Sequence, residues 1–392
     1  MIASGLRNST DWLYKYGPDP VEKGKSLLDK IFVAQRVTLE GFIVAYIRLF
    51  FIGVSFSTSA VAHHSPNLHF DRNEVTEISG EISEIAWRNP HTEITVLATD
   101  EDGEEVLWLV DARGASQFLR AGLDEGMFRV GDHIQVAGFR GRRNRNAVFS
   151  TNILLADGRE LVADNFAQPR WAADRVVNLV TRDPTPISTE DLPSNGEGIF
   201  RVWGRDRSNY GIQGTGRSLW KDSYPLTEQA QVAQASWDRV ADNPYIRCET
   251  GMPAIMDLGT PMQFVQEGGD IVLYLEEQDS VRRIHMTSDT APIDGNRTSM
   301  GYSVGHWENE TLVVVTTSVN WPWFDQSGVS QTELVEFIER FTPNSDGSIL
   351  NYTITVTDSN IFTEPVLLER HWVWEPNEEL RPYNCVWERN DL

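Results

Sequence analysis

Ile271-Val272-Leu273-Tyr274-Leu275-Glu276, introduced by Gly268-Gly269-Asp270, is followed closely by Val281-Arg282-Arg283-Ile284-His285-Met286-Thr287. Both runs are short, apolar or alternating, and bounded by turn formers, a signature of paired strands rather than helix. The same signature recurs towards the C-terminus. Residues 263–265, 302–308, 311–317, 334–342, 349–357 and 366–374 supply six more strands, many joined by turns such as Glu308-Asn309-Glu310 and Ser345-Asp346-Gly347. Eight successive antiparallel strands predict a closed, lipocalin-like barrel over residues 246–392, wide enough for one small ligand. A β-sandwich is the alternative.

Upstream, residues 63–162 show a different order of strands. Ile78, Ile82 and Ile85 sit among polar residues, Asn89-Pro90 turns the chain, and Glu93-Ile94-Thr95-Val96-Leu97 answers. Asp102-Gly103 precedes a third strand, 105–110, and a helical interval at 115–120 comes before strands around 134–139 and 147–155. Three strands, a short helix and two strands predict an OB-like small barrel. The chain as a whole therefore reads as mainly β.

Residues 163–245 read as an irregular connector. Pro184, Pro186, Pro193 and the glycine-rich run 204–216 deny it a period, although 174–177 suggests a short helix and 226–240 an amphipathic one with Thr227 as its N-cap.

The beginning of the chain carries an export signal in this reading. An apolar run at 41–56 is interrupted by Arg48, so its uninterrupted part, 49–56, has the length of a signal-peptide core and falls short of a bilayer about 30 Å thick. Ala60-Val61-Ala62 fits the small-x-small cleavage pattern, making 1–62 a leader and His63 the first mature residue of a periplasmic or secreted protein. The competing reading is an uncleaved N-terminal anchor. After processing, no stable membrane insertion is expected.

Composition bounds the partners. A length of 392 residues favours more than one domain, and the net charge of −23 argues against nucleic acid and anionic membrane surfaces. The two cysteines, Cys248 and Cys385, show no zinc spacing, so an exported chain is expected to join them. Closing a loop of that length stabilises by about 4 kcal/mol in the chain-entropy account.

Ala62-His63-His64-Ser65, Gly80-Glu81-Ile82, Trp87-Arg88-Asn89-Pro90-His91, Gly131-Asp132 and Ala156-Asp157-Gly158-Arg159 together resemble an uncharacterised family of exported bacterial proteins, a domain of unknown function. Cys248-Glu249-Thr250-Gly251-Met252-Pro253, the run 301–308, Thr311-Leu312-Val313-Val314, Phe324-Asp325-Gln326-Ser327-Gly328 and Tyr383-Asn384-Cys385 resemble a second uncharacterised group of exported bacterial proteins. In that group Arg is common at the position of His306 and His at that of Tyr302, so a role at either position does not carry over. The resemblances imply export and a two-module design. They lend no activity.

Two constellations carry chemistry. A mature N-terminal His63 offers its amino and imidazole nitrogens as a chelate, and His64 or His91 completes the nitrogen set that Cu(II) prefers. In the second barrel, Arg283 and His285 share one strand face, Tyr302 and His306 share another, and Asp325 lies in a loop after Trp321, Trp323 and Phe324. If these five converge, they make a polar patch in an aromatic cavity, suited to hydrolysis, isomerisation or cyclisation of a small apolar substrate. The plain alternative is that Arg and His point outward and pair with carboxylates. No nucleophile elbow, His-Glu-x-x-His or P-loop is present. The sequence therefore predicts binding of a small, partly apolar molecule by the second barrel, with an acid/base enzyme and a copper protein as alternatives. Oligomeric state stays open.

Overall fold

The computed structural model describes residues 69–386, apart from 101, 165–166, 180–197, 207–218, 239–241, 258 and 288–296. The apolar run, the cleavage pattern, His63 and His64 lie outside the described residues.

The first module is built from β1 (Phe70–Ala86), β2 (Glu93–Thr99), β3 (Glu105–Asp111), α1 (Ala115–Arg120), β4 (His133–Gly141) and β5 (Ala147–Leu154). Strand β1 pairs with β2 and β4, β2 with β3, β4 with β5, and a parallel contact from Leu109–Asp111 to Ala147–Phe149 closes the ring. That circuit, with its helix between β3 and β4, is the OB arrangement the sequence predicted. Alternation places Ile94, Val96 and Ala98 of β2 inside, where they meet Ile82, Val110, Ile134 and Val136. Trp87 stacks on Phe118 of α1 at 5.3 Å, closing one end of the core. Gly80 is required by close approach, because a Cβ there would lie 2.2 Å from the Leu97 carbonyl oxygen.

Two short strands, β6 (Glu160–Val162) and β7 (Val176–Asn178), extend the sheet beyond β5. The segment at 174–177 thus contributes to a strand where a helix start was expected, because Val176 and Val177 find the open edge of β6. Glu160 is fully buried and anchors the turn that follows. Its carboxylate accepts from the backbone N–H groups of Arg170, Trp171 and Ala172 and from the Asn152 amide. Burial pushes this carboxyl up, but the donors outweigh burial and hold it below its ordinary value. A lowered carboxyl stabilises the fold above its unfolded pKa and loses that stabilisation as pH falls through the folded one. Glu160→Gln is therefore expected to cost about 1–3 kcal/mol at neutral pH and less on acidification, measured by urea unfolding across pH.

The second module closes as a ring of nine strands among the described residues: β10 (Asp270–Leu275), β11 (Ser280–His285), β12 (Tyr302–Glu308), β13 (Thr311–Thr317), β14 (Glu336–Pro343), β15 (Ile349–Thr357), β16 (Val366–Trp374), β8 (Val202–Arg205) and β9 (Met262–Glu267). All eight predicted strands are present. The ninth, β8, comes from the connector and bridges β16 to β9. All pairings are antiparallel except β11 with β12, where Ile284 and His285 run parallel to Ser303 and Val304. Between α2 (Glu228–Ala235) and its predicted cap the match is direct: Thr227 Oγ1 accepts from Ala230 N at 3.3 Å.

Side chains occupy the lumen. Phe264 of β9 meets Phe341 of β14 across it at 5.1 Å, and Tyr352 meets Trp372 at 5.1 Å. Arg282 and Glu339, both fully buried, pair in the same interior, with Thr316 and Tyr352 hydroxyls on the same carboxylate. No helix of the described residues is long and apolar enough to cross a membrane. Cys248 and Cys385 form a disulfide across 137 residues.

Candidate functional site

The five residues read as a pocket divide into three groups. Arg283, His285 and Tyr302 lie together on the outer wall of the barrel, not in its lumen. His285 Nδ1 stands 3.1 Å from Asp270 Oδ2 and its ring stacks on Tyr302 at 4.6 Å. Arg283 bonds Glu267 at 3.0 Å and approaches Asp270 at 3.6 Å. His306 is exposed and sits 3.3 Å from Glu308. Asp325 is buried in its own loop, where Ser327 Oγ and backbone N–H bond it at 2.8 Å and Phe324 packs against Trp220, Tyr224 and Phe362. Burial raises its pKa, and the Ser327 bonds hold it partly back. The outward pairing with carboxylates is what β11 and β12 display, because the alternate face, Arg282 and Ile284, took the interior. Of the copper set, only His91 is described. Its Nδ1 lies 2.6 Å from Asp111 Oδ1, and no group of three or more potential metal ligands occurs among the described residues.

A site that sequence reading missed lies at one end of the second barrel. Ile255, Met256, Met262, Leu275 and Trp372 line a cavity of about 10 Å³ together with Thr260 and Glu277. That is room for about one water. The elements that build it are local in origin: Met262 and Leu275 are partners at the β9–β10 hairpin's end, and the 3₁₀ turn Ala254–Asp257 inserts its apolar side chains beneath. Glu277 is half-buried as a residue, but its carboxyl accepts the Tyr383 hydroxyl at 2.8 Å. Burial raises its pKa, against bonds from Tyr383 and Thr260 that lower it.

The C-terminal segment is bonded to the residues beside this end. Tyr383 N and Asn384 N donate to Asp279 at 2.8 and 3.0 Å, and Arg381 N donates to Glu276 at 2.9 Å. The first module meets the same segment. Asn89 is buried, accepts from Ser116 N and Oγ at 3.1 and 3.0 Å, and donates through Nδ2 to the Tyr383 carbonyl at 2.7 Å. Beside it, Arg120 of α1 pairs with Glu276 and reaches Glu378 at 3.2 Å. The motifs Trp87-Arg88-Asn89-Pro90-His91 and Tyr383-Asn384-Cys385 thus form one junction. Their position in separate modules concealed this, and the acidic run Glu276-Glu277 before Asp279 was the available signal.

Comparison with known families bears on the first of these partners. Residues 52–149 match the model described as Family of unknown function (DUF6152). The DUF6152 span takes in β1 to β4, α1 and the start of β5, with Asn89, His91 and Arg120, and stops short of the nine-strand barrel. The chain matches none of the curated proteins.

Burial of the Glu277 carboxyl, by raising its pKa, makes its part in stability depend on pH. A carboxyl with a raised folded pKa is penalised as pH climbs above its ordinary value and is neutral at acid pH, where both states are protonated. Glu277→Gln is expected to raise stability at neutral pH and to lose this gain on acidification; thermal unfolding at both pH values reads it.

Proposed function

We propose that this chain is an exported binding protein that takes a small, partly apolar molecule at the end of the nine-strand barrel. The observation that carries the reading is the place of Glu277: its carboxyl lines the barrel-end cavity with Met256, Met262, Leu275 and Trp372, setting one polar group in apolar surroundings. With the lumen filled, the ligand belongs at this end, where the Ala254–Asp257 turn and Trp372 supply apolar lining. Export is supported by the apolar run, by Ala60-Val61-Ala62 and by a disulfide of the kind that persists outside a reducing compartment. Methyl and indole NMR with two- to six-carbon alcohols and amides is the test. The reading expects saturable shifts at Met262 and Trp372 that Glu277→Ala weakens about tenfold, as loss of a buried hydrogen bond does. Equal, unsaturable shifts at Met262 and at the exposed Trp307 overturn it.

A copper site is the second reading, favoured by the Asp111–His91 contact, since a carboxylate on one imidazole nitrogen orients the other for a metal. Mass spectrometry of the mature N-terminus and copper titration of His91→Ala test it. A first residue other than His63, or unchanged titration, removes it.

A further inference from the structure

We infer that residues 381–386 form a thiol-sensitive cover over the barrel-end cavity, held shut by the Cys248–Cys385 disulfide. The inference rests on the ligand reading above and adds its control. Three observations meet here. The segment has no helix, and its one bridge residue, Cys385, pairs with Asn89 rather than with a barrel strand. Its backbone is fastened by isolated hydrogen bonds to Glu276, Asp279 and Asn89, and only Tyr383 is deeply buried. That one buried side chain stands on Glu277, the polar group of the cavity.

The disulfide converts these few bonds into a closed state. It keeps the segment at high effective concentration beside its sites, which a free chain end lacks. Both cysteines are half-buried, so neither is sealed in a core. Cys248 also holds left-handed backbone, φ 60°, a conformation that residues other than glycine and asparagine avoid unless their surroundings impose it.

The chemistry is thiol–disulfide exchange. A thiolate of a dithiol reductant attacks one sulfur of Cys248–Cys385, the second protein sulfur leaves as thiolate and is protonated, and the reductant's other thiol resolves the mixed disulfide. Two electrons pass to the protein, which gains two thiols, and the reductant leaves as its disulfide.

Hydrogen exchange on the full chain, oxidised and after dithiothreitol, tests this. The amides of Arg381, Tyr383 and Asn384 are expected to exchange about 100-fold faster when reduced, as for local opening, while β13 and β15 keep their protection. Cys385→Ser should reproduce the change without reductant. Unchanged tail exchange overturns the cover. So does acceleration throughout β13 and β15, which makes the disulfide a global brace. With the tail released, butanol is the probe of entry: Met262 shifts that saturate at about tenfold lower butanol on reduction support the inference, equal saturation in both states overturns it, and a released tail with no shift in either state supports the cover and overturns the ligand site.

Discussion

Glu339→Leu destabilises the protein by about 3–5 kcal/mol, because it leaves the Arg282 guanidinium buried without its countercharge. Arg282 is surrounded on every side: Nη1 reaches Glu339 Oε1 at 2.9 Å, Nη2 reaches Thr316 Oγ1 at 2.7 Å, and Nε reaches Ser303 Oγ at 3.1 Å. No water replaces the lost partner, since Arg282 is 1% exposed. Burying two charges is itself expensive, so removing both is far milder than removing one. The double change Arg282→Met with Glu339→Leu recovers most of the loss, but Tyr352 Oη, which donates to Glu339 at 2.9 Å, is then left without an acceptor at a cost of about 1–3 kcal/mol. Adding Tyr352→Phe removes that penalty and brings stability close to the parent's. Ser303 and Thr316 keep each other as partners at 2.9 Å. Urea unfolding of the single, double and triple variants reads the series; a single variant within 1 kcal/mol of the parent contradicts it, since such differences usually err by only about a few tenths of a kcal/mol.

Arg120→Ala has an effect of similar size at the junction with Glu276 and Glu378. Its guanidinium, 5% exposed, pairs with Glu276 and Glu378, themselves 0% and 3% exposed. Without it, two carboxylates face one another in a dry junction, which breaking a buried pair puts at about 3–5 kcal/mol. Arg120→Lys, which keeps the positive charge but not the two-armed guanidinium, is expected to recover part of the loss. Urea unfolding of the parent and both variants reads the series, and an alanine variant within about 1 kcal/mol of the parent rules out this account.

The legible part of the fold was its alternation. In β15 the sequence Ile-Leu-Asn-Tyr-Thr-Ile-Thr-Val-Thr alternates between a buried and a half-exposed or exposed face, and the period-2 pattern alone identifies it. Strand β8 was not legible, because four residues carry too little period and its partners, β16 and β9, lie far along the chain. Alternation also separates two faces without saying which is inner. Arg283 and His285 are the more evident chemical pair, yet Arg282 went in, since Glu339, 57 residues away, supplies its countercharge. Such pairing is a property of the closed ring and leaves no local mark. Glu277 was missed for a related reason: one acid among several at a strand end reads as surface until Tyr383 covers it.

The bridge between Asn89 and Cys385 also sets an order of events during synthesis. Asn89 belongs to the first ring made, while the Tyr383 carbonyl it bonds is 294 residues downstream. The ring is complete at Leu154, so at about 5–20 residues per second it waits roughly 10–50 s for that acceptor. During this interval the polar face that later joins the two modules is open to solvent, so a chain truncated before Tyr383 leaves the first module permanently in its unfinished state.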